Sequence, residues 1–152
     1  MWKRSLAKEA LYEPENLPNN LKCNHTSRAF QCSSLTMRDL LTFHNRFYSS
    51  HLKLKQDALI VKFTQALPVK RRRPKNNTHS MKSFQTKYFI SSCEGLLIPV
   101  CQQSFLSTLN ISRSRVQRVI ENFMKTGTNP TENRGGDHKS SKYKDKKVAV
   151  ID

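Results

Sequence analysis

Acidic residues are scarce in this chain: 11 Asp and Glu stand against 27 Lys and Arg, for a net charge of +16. The carboxylates are scattered, so no pair is spaced for acid–base or two-metal chemistry. Glycine is scarce too, with four in all, and none belongs to a phosphate-cradling loop. No Ser or Cys has a recognisable base nearby in sequence, so a nucleophilic enzyme is not expected. There is no long apolar run and no Lys-lined amphipathic anchor, which argues against a membrane partner. The opening stretch MWKRSLAKEALYEPEN lacks the apolar core of a secretory signal, and the chain is expected to be intracellular. In that setting the Asn-x-Ser/Thr triplets at Asn24, Asn76 and Asn110 carry no meaning as glycan sites.

What is present is positive charge. A pI near 10.1 raises the local concentration of polyanions and favours nucleic acid through counterion release. The 152 residues suffice for one domain with a core. Its class is expected to be mainly α with a small β-hairpin, a helix-turn-helix-like C-terminal pair and disordered tails.

Residues 1–20 read as a flexible leader, since Lys3, Arg4 and Lys8 run into the Pro- and Asn-rich stretch 13–20. A domain over 21–127 follows. Its first helix is expected over 37–49, capped by Thr36 with Asp39 three residues on. Met37, Leu40, Leu41, His44, Phe47 and Tyr48 would form its apolar face. A second helix is expected over 53–67, burying Leu59, Ile60, Phe63 and Leu67 and ended by Pro68. Residues 69–78 form a basic loop. The runs 84–90 and 96–100, around a turn with Gly95, predict the hairpin, with Pro99 restricting the second run to an edge. Beyond Gly127 the composition collapses into polar residues, so 128–152 reads as a basic disordered tail. Its last five residues, VAVID, turn apolar as the chain stops, suggesting an element that continues elsewhere.

The region 101–127 reads as two short helices around a tight turn. Asn110 stands where a left-handed residue is often needed, and Ser112 is a good N-cap. Val116, Val119, Ile120 and Phe123 make an inward stripe on the second helix, with Phe105 and Leu109 on the first as its partner face. Away from that stripe lie Arg113, Arg115, Gln117, Arg118, Asn122 and Lys125, residue types that contact phosphates and base edges. Arg113, Arg115, Gln117, Arg118 and Asn122 are the candidate DNA-binding set. Leu106 departs from the usual pattern, which places a small residue at that turn-facing position. The competing account is a plain helical pair whose basic outer face is merely solvated. Lys70, Arg71, Arg72, Arg73 and Lys75 fit both a nuclear-import signal and a phosphate clamp, or else a solubilising loop.

Four cysteines, Cys23, Cys32, Cys93 and Cys101, do not make a disulfide framework without secretion. Cys23, Cys32, Cys101 and His138 offer three thiolates and an imidazole, a donor set suited to zinc. His25 is a rival fourth ligand. The alternative is that Cys32 and Cys101 are buried core residues. His44 reads as a core-edge residue.

The order of blocks carries a family likeness. A Cys pair precedes an apolar helix ending Arg46-Phe47-Tyr48, then a helix opening near Gln56, an Arg-rich loop and a strand ending Tyr88-Phe89. The block VCQQSFLSTLNIS at 100–112 and the RGGDH at 134–138 complete it. This order, over roughly residues 23–138, resembles the N-terminal region of uncharacterised transposon-derived, transposase-like proteins of insects and other invertebrates. The resemblance implies a DNA-associated front end, followed in that family by a nuclease-fold region that these residues do not contain. RGGDH has one residue more than the family's RG-x-H, which weakens the carry-over to His138. The expected function is therefore non-enzymatic binding of double-stranded DNA in the nucleus. A protein-interaction or structural module with an import signal is the rival, and RNA binding is a third reading.

Overall fold

Thr36 starts the first helix by a reciprocal cap. Its hydroxyl accepts from the Asp39 N–H at 3.2 Å, and the Asp39 carboxylate accepts from the Thr36 N–H at 2.9 Å. The computed structural model describes residues 10–14, 16–18, 23–69 and 84–131. Among these, the helix opened by Thr36 is Met37–Tyr48 (α1), and Lys53–Lys62 (α2) follows it. Then come the strands Thr64–Pro68 (β1), Phe84–Ser91 (β2) and Leu97–Val100 (β3). The helices Gln102–Leu109 (α3) and Arg113–Thr126 (α4) close the described chain.

The buried stripe of α1 is Leu40, Phe43, His44 and Phe47, the i, i+3, i+4, i+7 pattern of one helix face. The face expected from sequence differed at two positions. Met37 is 40% exposed because it lies in the first turn, ahead of the core, whereas Phe43 is buried.

The larger correction concerns the second helix and the fold class. The helix does not run to Leu67 but ends at Lys62. The Thr64 hydroxyl donates to the Ile60 carbonyl at 2.7 Å, and the chain then pairs antiparallel with β2 from Thr64↔Tyr88 to Pro68↔Phe84. Leu67 has helical spacing from Ile60 and Phe63, but the backbone pairing offered by β2 overrides that local pattern. The sheet is therefore three-stranded, in the order β1-β2-β3, and the fold is mixed α/β rather than mainly α with one hairpin. Pro68 and Pro99 sit on edge strands, where a missing N–H costs no ladder bond, as the sequence leads one to expect for Pro99. The free edge of β3 is used by the loop before α1, whose Gln31 N–H donates to the Pro99 carbonyl at 2.7 Å.

The helices pack on one face of the sheet. Tyr88, Ile90 and Val100 point into the core, which they share with Phe43, Phe63, Phe105, Leu109, Val116 and Ile120. Phe43 meets Phe63 edge-on at 4.8 Å, and Tyr88 lies 5.2 Å from Phe105, the offset geometry aromatic pairs prefer.

Asn110 joins α3 to α4 in the left-handed region, at φ 52° and ψ 41°. Ser112 then caps α4 by accepting from the Arg115 N–H at 3.3 Å. In contrast to the mutual packing expected of the two helices, α3 packs chiefly on α1, and α4 on α2. The reason lies in buried polar contacts. His44 donates from Nδ1 to the Thr108 carbonyl at 2.9 Å, and the Tyr48 hydroxyl donates to the Leu109 carbonyl at 2.7 Å. These bonds fasten the end of α3 to α1 and satisfy carbonyls that a helix terminus leaves unpaired. His44 is thus a core residue, only 1% exposed, rather than one at the core edge. Tyr12, in the stretch read as a leader, is docked: its carbonyl accepts from Gln56 Nε2 at 2.8 Å.

Candidate metal centre and nucleic-acid interface

Three segments converge on one cluster of side chains. Cys23 and His25 come from the extended segment that opens the domain. Cys32 stands in a single 3-10 turn, Cys32–Ser34, and Cys101 is the N-cap residue of α3. The loop between them doubles back through local bonds. The Phe30 N–H donates to the Ser27 carbonyl at 3.0 Å, and the Ser33 N–H donates to the His25 carbonyl at 3.2 Å. This turn brings Cys23 and His25 beside Cys32, and the Gln31–Pro99 bond seats the loop next to Cys101.

The ligating atoms of Cys23, His25, Cys32 and Cys101 all lie within 4.8 Å of one another. Cys23 Sγ and Cys101 Sγ are 3.7 Å apart. A tetrahedral site with metal–sulfur bonds of about 2.3 Å has an edge of about 3.8 Å, so the spacing suits two thiolates on one ion. It far exceeds a disulfide bond of about 2.05 Å, and the four cysteines are free thiols.

Polar hydrogens surround the sulfurs. The Cys101 N–H donates to Cys32 Sγ at 3.3 Å, and the Ser104 N–H donates to Cys101 Sγ at 3.4 Å. The buried Ser104 hydroxyl lies 2.8 Å from Cys23 Sγ and 3.2 Å from Cys101 Sγ. Burial pushes the Cys23 thiol up to about 11, with the Ser104 bond opposing it. Burial also raises Cys101, but bonds from the Ser104 hydroxyl and amide and from the neighbouring thiols outweigh it, and Cys101 titrates below its ordinary value. Of these two thiols, Cys101 ionises more readily than Cys23. A bound cation would let the other thiols ionise as well, as metal ligation requires.

Sequence reasoning found Cys23, Cys32 and Cys101, and the structure gathers all three. Among the described residues the imidazole in the cluster is that of His25; His138 lies outside the described residues. Ser104 was missed, although its position three residues after Cys101 is the spacing at which an N-cap side chain meets a backbone N–H. Cys93 lies elsewhere, exposed, with its sulfur 3.6 Å from Thr42 Oγ1.

The basic helix divides into two sets. Arg113, Gln117, Arg118, Asn122 and Lys125 are exposed, while Val116, Val119 and Ile120 are buried. Gln117 Nε2 donates to Glu121 Oε1 at 2.8 Å, so an acidic group shares that surface. Arg115 is different, because its side chain turns inward. Its Nη2 and Nε donate to Asp57 Oδ1 at 2.8 and 3.2 Å, and Nη2 also donates to Gln56 Oε1 at 3.0 Å. The guanidinium sits 5.1 Å from the Tyr12 ring centroid and 5.8 Å from that of Phe47. With these groups satisfied, Arg115 serves the α2–α4 interface, in contrast to the groove-facing role expected for it. Lys70, Arg71, Arg72, Arg73 and Lys75 lie outside the described residues, in the connection from β1 to β2.

Fold and site together define a small mixed α/β domain with a three-cysteine, one-histidine cluster able to hold a metal ion. Compared with known proteins, the chain matches no family model, no curated protein and no solved structure. No helix among the described residues is long and apolar enough to cross a membrane.

Proposed function

We propose that this chain is a non-catalytic module that binds double-stranded DNA in the nucleus, held in shape by a structural zinc ion. In that role Cys23, His25, Cys32 and Cys101 tie the opening loop to the β3–α3 junction. Three thiolates and an imidazole are a closed structural donor set, with no coordination position left for water. The module would be the front end of a transposon-derived protein, a reading that rests on the likeness of block order alone.

The observation that carries the DNA reading is the exposed polar row on α4. Arg118, Asn122 and Lys125 follow one another at i, i+4 and i+7, on one helix face, while Gln117 and Arg113, also exposed, lie further round the helix. The left-handed Asn110 and the Ser112 cap set the start of α4 after a short turn, and Arg and Asn suit guanine and adenine edges. Lys70, Arg71, Arg72, Arg73 and Lys75 would add phosphate contacts without sequence information.

The test is duplex binding across a salt series, comparing wild type with Arg113→Ala/Arg118→Ala. Loss of two phosphate-contacting cations lowers the slope of log affinity against log salt by about two. An unchanged slope and affinity in the double variant would remove α4 from the interface. Arg115 is left intact in this experiment because its loss disturbs the fold.

A further inference from the structure

The sulfurs of Cys23 and Cys101 lie 3.7 Å apart, carried by residues 78 positions apart in the chain. The Ser104 hydroxyl reaches both, at 2.8 and 3.2 Å, so one buried side chain holds the pair together. A disulfide bond requires them to close by about 1.7 Å, a movement shared between two side chains. Cys23 and Cys101 are both half-buried, within reach of a small solute. Cys32 is fully buried, and its sulfur accepts from the Cys101 N–H at 3.3 Å. Cys93 stands apart, exposed and beside Thr42. The cluster therefore contains, within its four metal donors, one pair of thiols placed to join.

We propose that Cys23 and Cys101 are a reversible redox pair: hydrogen peroxide joins them as a disulfide, and that link takes over the clip from the metal ion. The metal half rests on the structural-zinc reading, whereas the disulfide half rests on the sulfur geometry alone. In the first step one thiol attacks the peroxide. An S–O bond forms, the O–O bond breaks, and the departing hydroxide takes the thiol proton as water, leaving a sulfenic acid. The second thiol attacks that sulfur, S–S forms as S–O breaks, and its proton leaves with the hydroxide as a second water. Together the sulfurs lose two electrons and the peroxide gains two. When the pair starts as metal-bound thiolates, solvent supplies both protons. Only Cys32 and His25 then remain as donors, short of the four a structural zinc ion takes, and the ion leaves. The opening loop stays tied to the β3–α3 junction, now covalently, and a link closing so long a loop restrains the unfolded chain. In a reducing compartment such a link is transient, so reduction restores the thiols and the ion returns.

The test treats the zinc-loaded full chain with equimolar hydrogen peroxide, in a Cys93→Ser variant that lacks the exposed thiol and in the unsubstituted chain as its control. Mass mapping of unreduced peptides should find Cys23 joined to Cys101 within one chain, with Cys32 still open to alkylation after denaturation. One zinc ion per link should pass to a colorimetric chelator, and dithiothreitol with added zinc should reverse both changes. The linked, metal-free chain should melt above the reduced chain stripped of metal. A link that involves Cys32, a sulfinic acid in place of any link, or thiols that all persist overturns the proposal. So does zinc that stays on the linked chain, or a linked chain that melts below the reduced, metal-free one. A chain that takes up no zinc yet forms the Cys23–Cys101 link contradicts the zinc reading and supports the redox pair.

Discussion

Replacing Arg115 with alanine should unfold this domain more readily without removing a DNA contact. Asp57 is 3% exposed, and two of the hydrogen bonds donated by Arg115 end on its Oδ1, at 2.8 and 3.2 Å. Stripping the partner from a buried carboxylate costs about 3–5 kcal/mol. Lys53 remains 3.4 Å from Asp57 Oδ2, but its side chain is 57% exposed, and such a pair contributes less than about 1 kcal/mol. The Arg115 side chain is itself 21% exposed, so solvent screens part of the interaction and the lower end applies, about 3 kcal/mol. In a domain of this size that lowers the melting temperature by roughly 10–20 °C. Urea unfolding followed by circular dichroism measures the loss directly. Adding Asp57→Asn to Arg115→Ala should recover part of it, because the orphaned charge is then gone. If Arg115→Ala leaves stability within about 0.5 kcal/mol of wild type and instead weakens duplex binding as Arg118→Ala does, the inward role is refuted.

Two further outcomes follow from local geometry. The Thr36 hydroxyl bonded to Asp39, together with the Cys93 N–H at 2.7 Å, holds the Asp39 carboxyl well below its ordinary 3.8. A carboxyl depressed in the folded state stabilises it above the unfolded value, and that stabilisation is lost as pH falls. Asp39→Asn should therefore cost about 2 kcal/mol at neutral pH, with the gap to wild type closing below pH 3.8; a pH-independent gap in thermal scans would contradict this. At Asn110, with φ at 52°, Asn110→Gly should leave stability nearly unchanged while Asn110→Val costs about 1–2 kcal/mol, read by urea midpoint. Equal effects from both would mean the left-handed turn is not what the residue provides.

Much of the scaffold was legible where local chemistry decides. Thr36 with Asp39, Asn110, Ser112 and Gly127 are residues whose preferred roles are set within a few positions, and each occupies the expected cap or turn. The stretch after Lys62 was not legible, because Ile60, Phe63 and Leu67 have helical spacing and only pairing with β2 makes residues 64–68 a strand. Arg115 shows the same limit at the site. It looks like its neighbours in sequence, and nothing local announces that Asp57 and Gln56 wait for it across the α2–α4 contact. The metal cluster was half readable, since donor types are visible in sequence, whereas the loop that folds His25 back beside Cys32 depends on bonds at Ser33 and Gln31. Ser104 has a local signal in its spacing from Cys101, but its hydroxyl also meets the Cys23 sulfur from 81 residues away, a separation at which sequence patterns carry no signal.

Native mass spectrometry of the full chain, purified without chelator, gives the most direct reading. One zinc ion per chain is expected, with thiol protons displaced on binding, lost in Cys101→Ser and stripped by a chelator together with much of the thermal stability. A metal-free mass, with a melting temperature indifferent to both zinc and chelator, would contradict the proposed clip at Cys23, His25, Cys32 and Cys101.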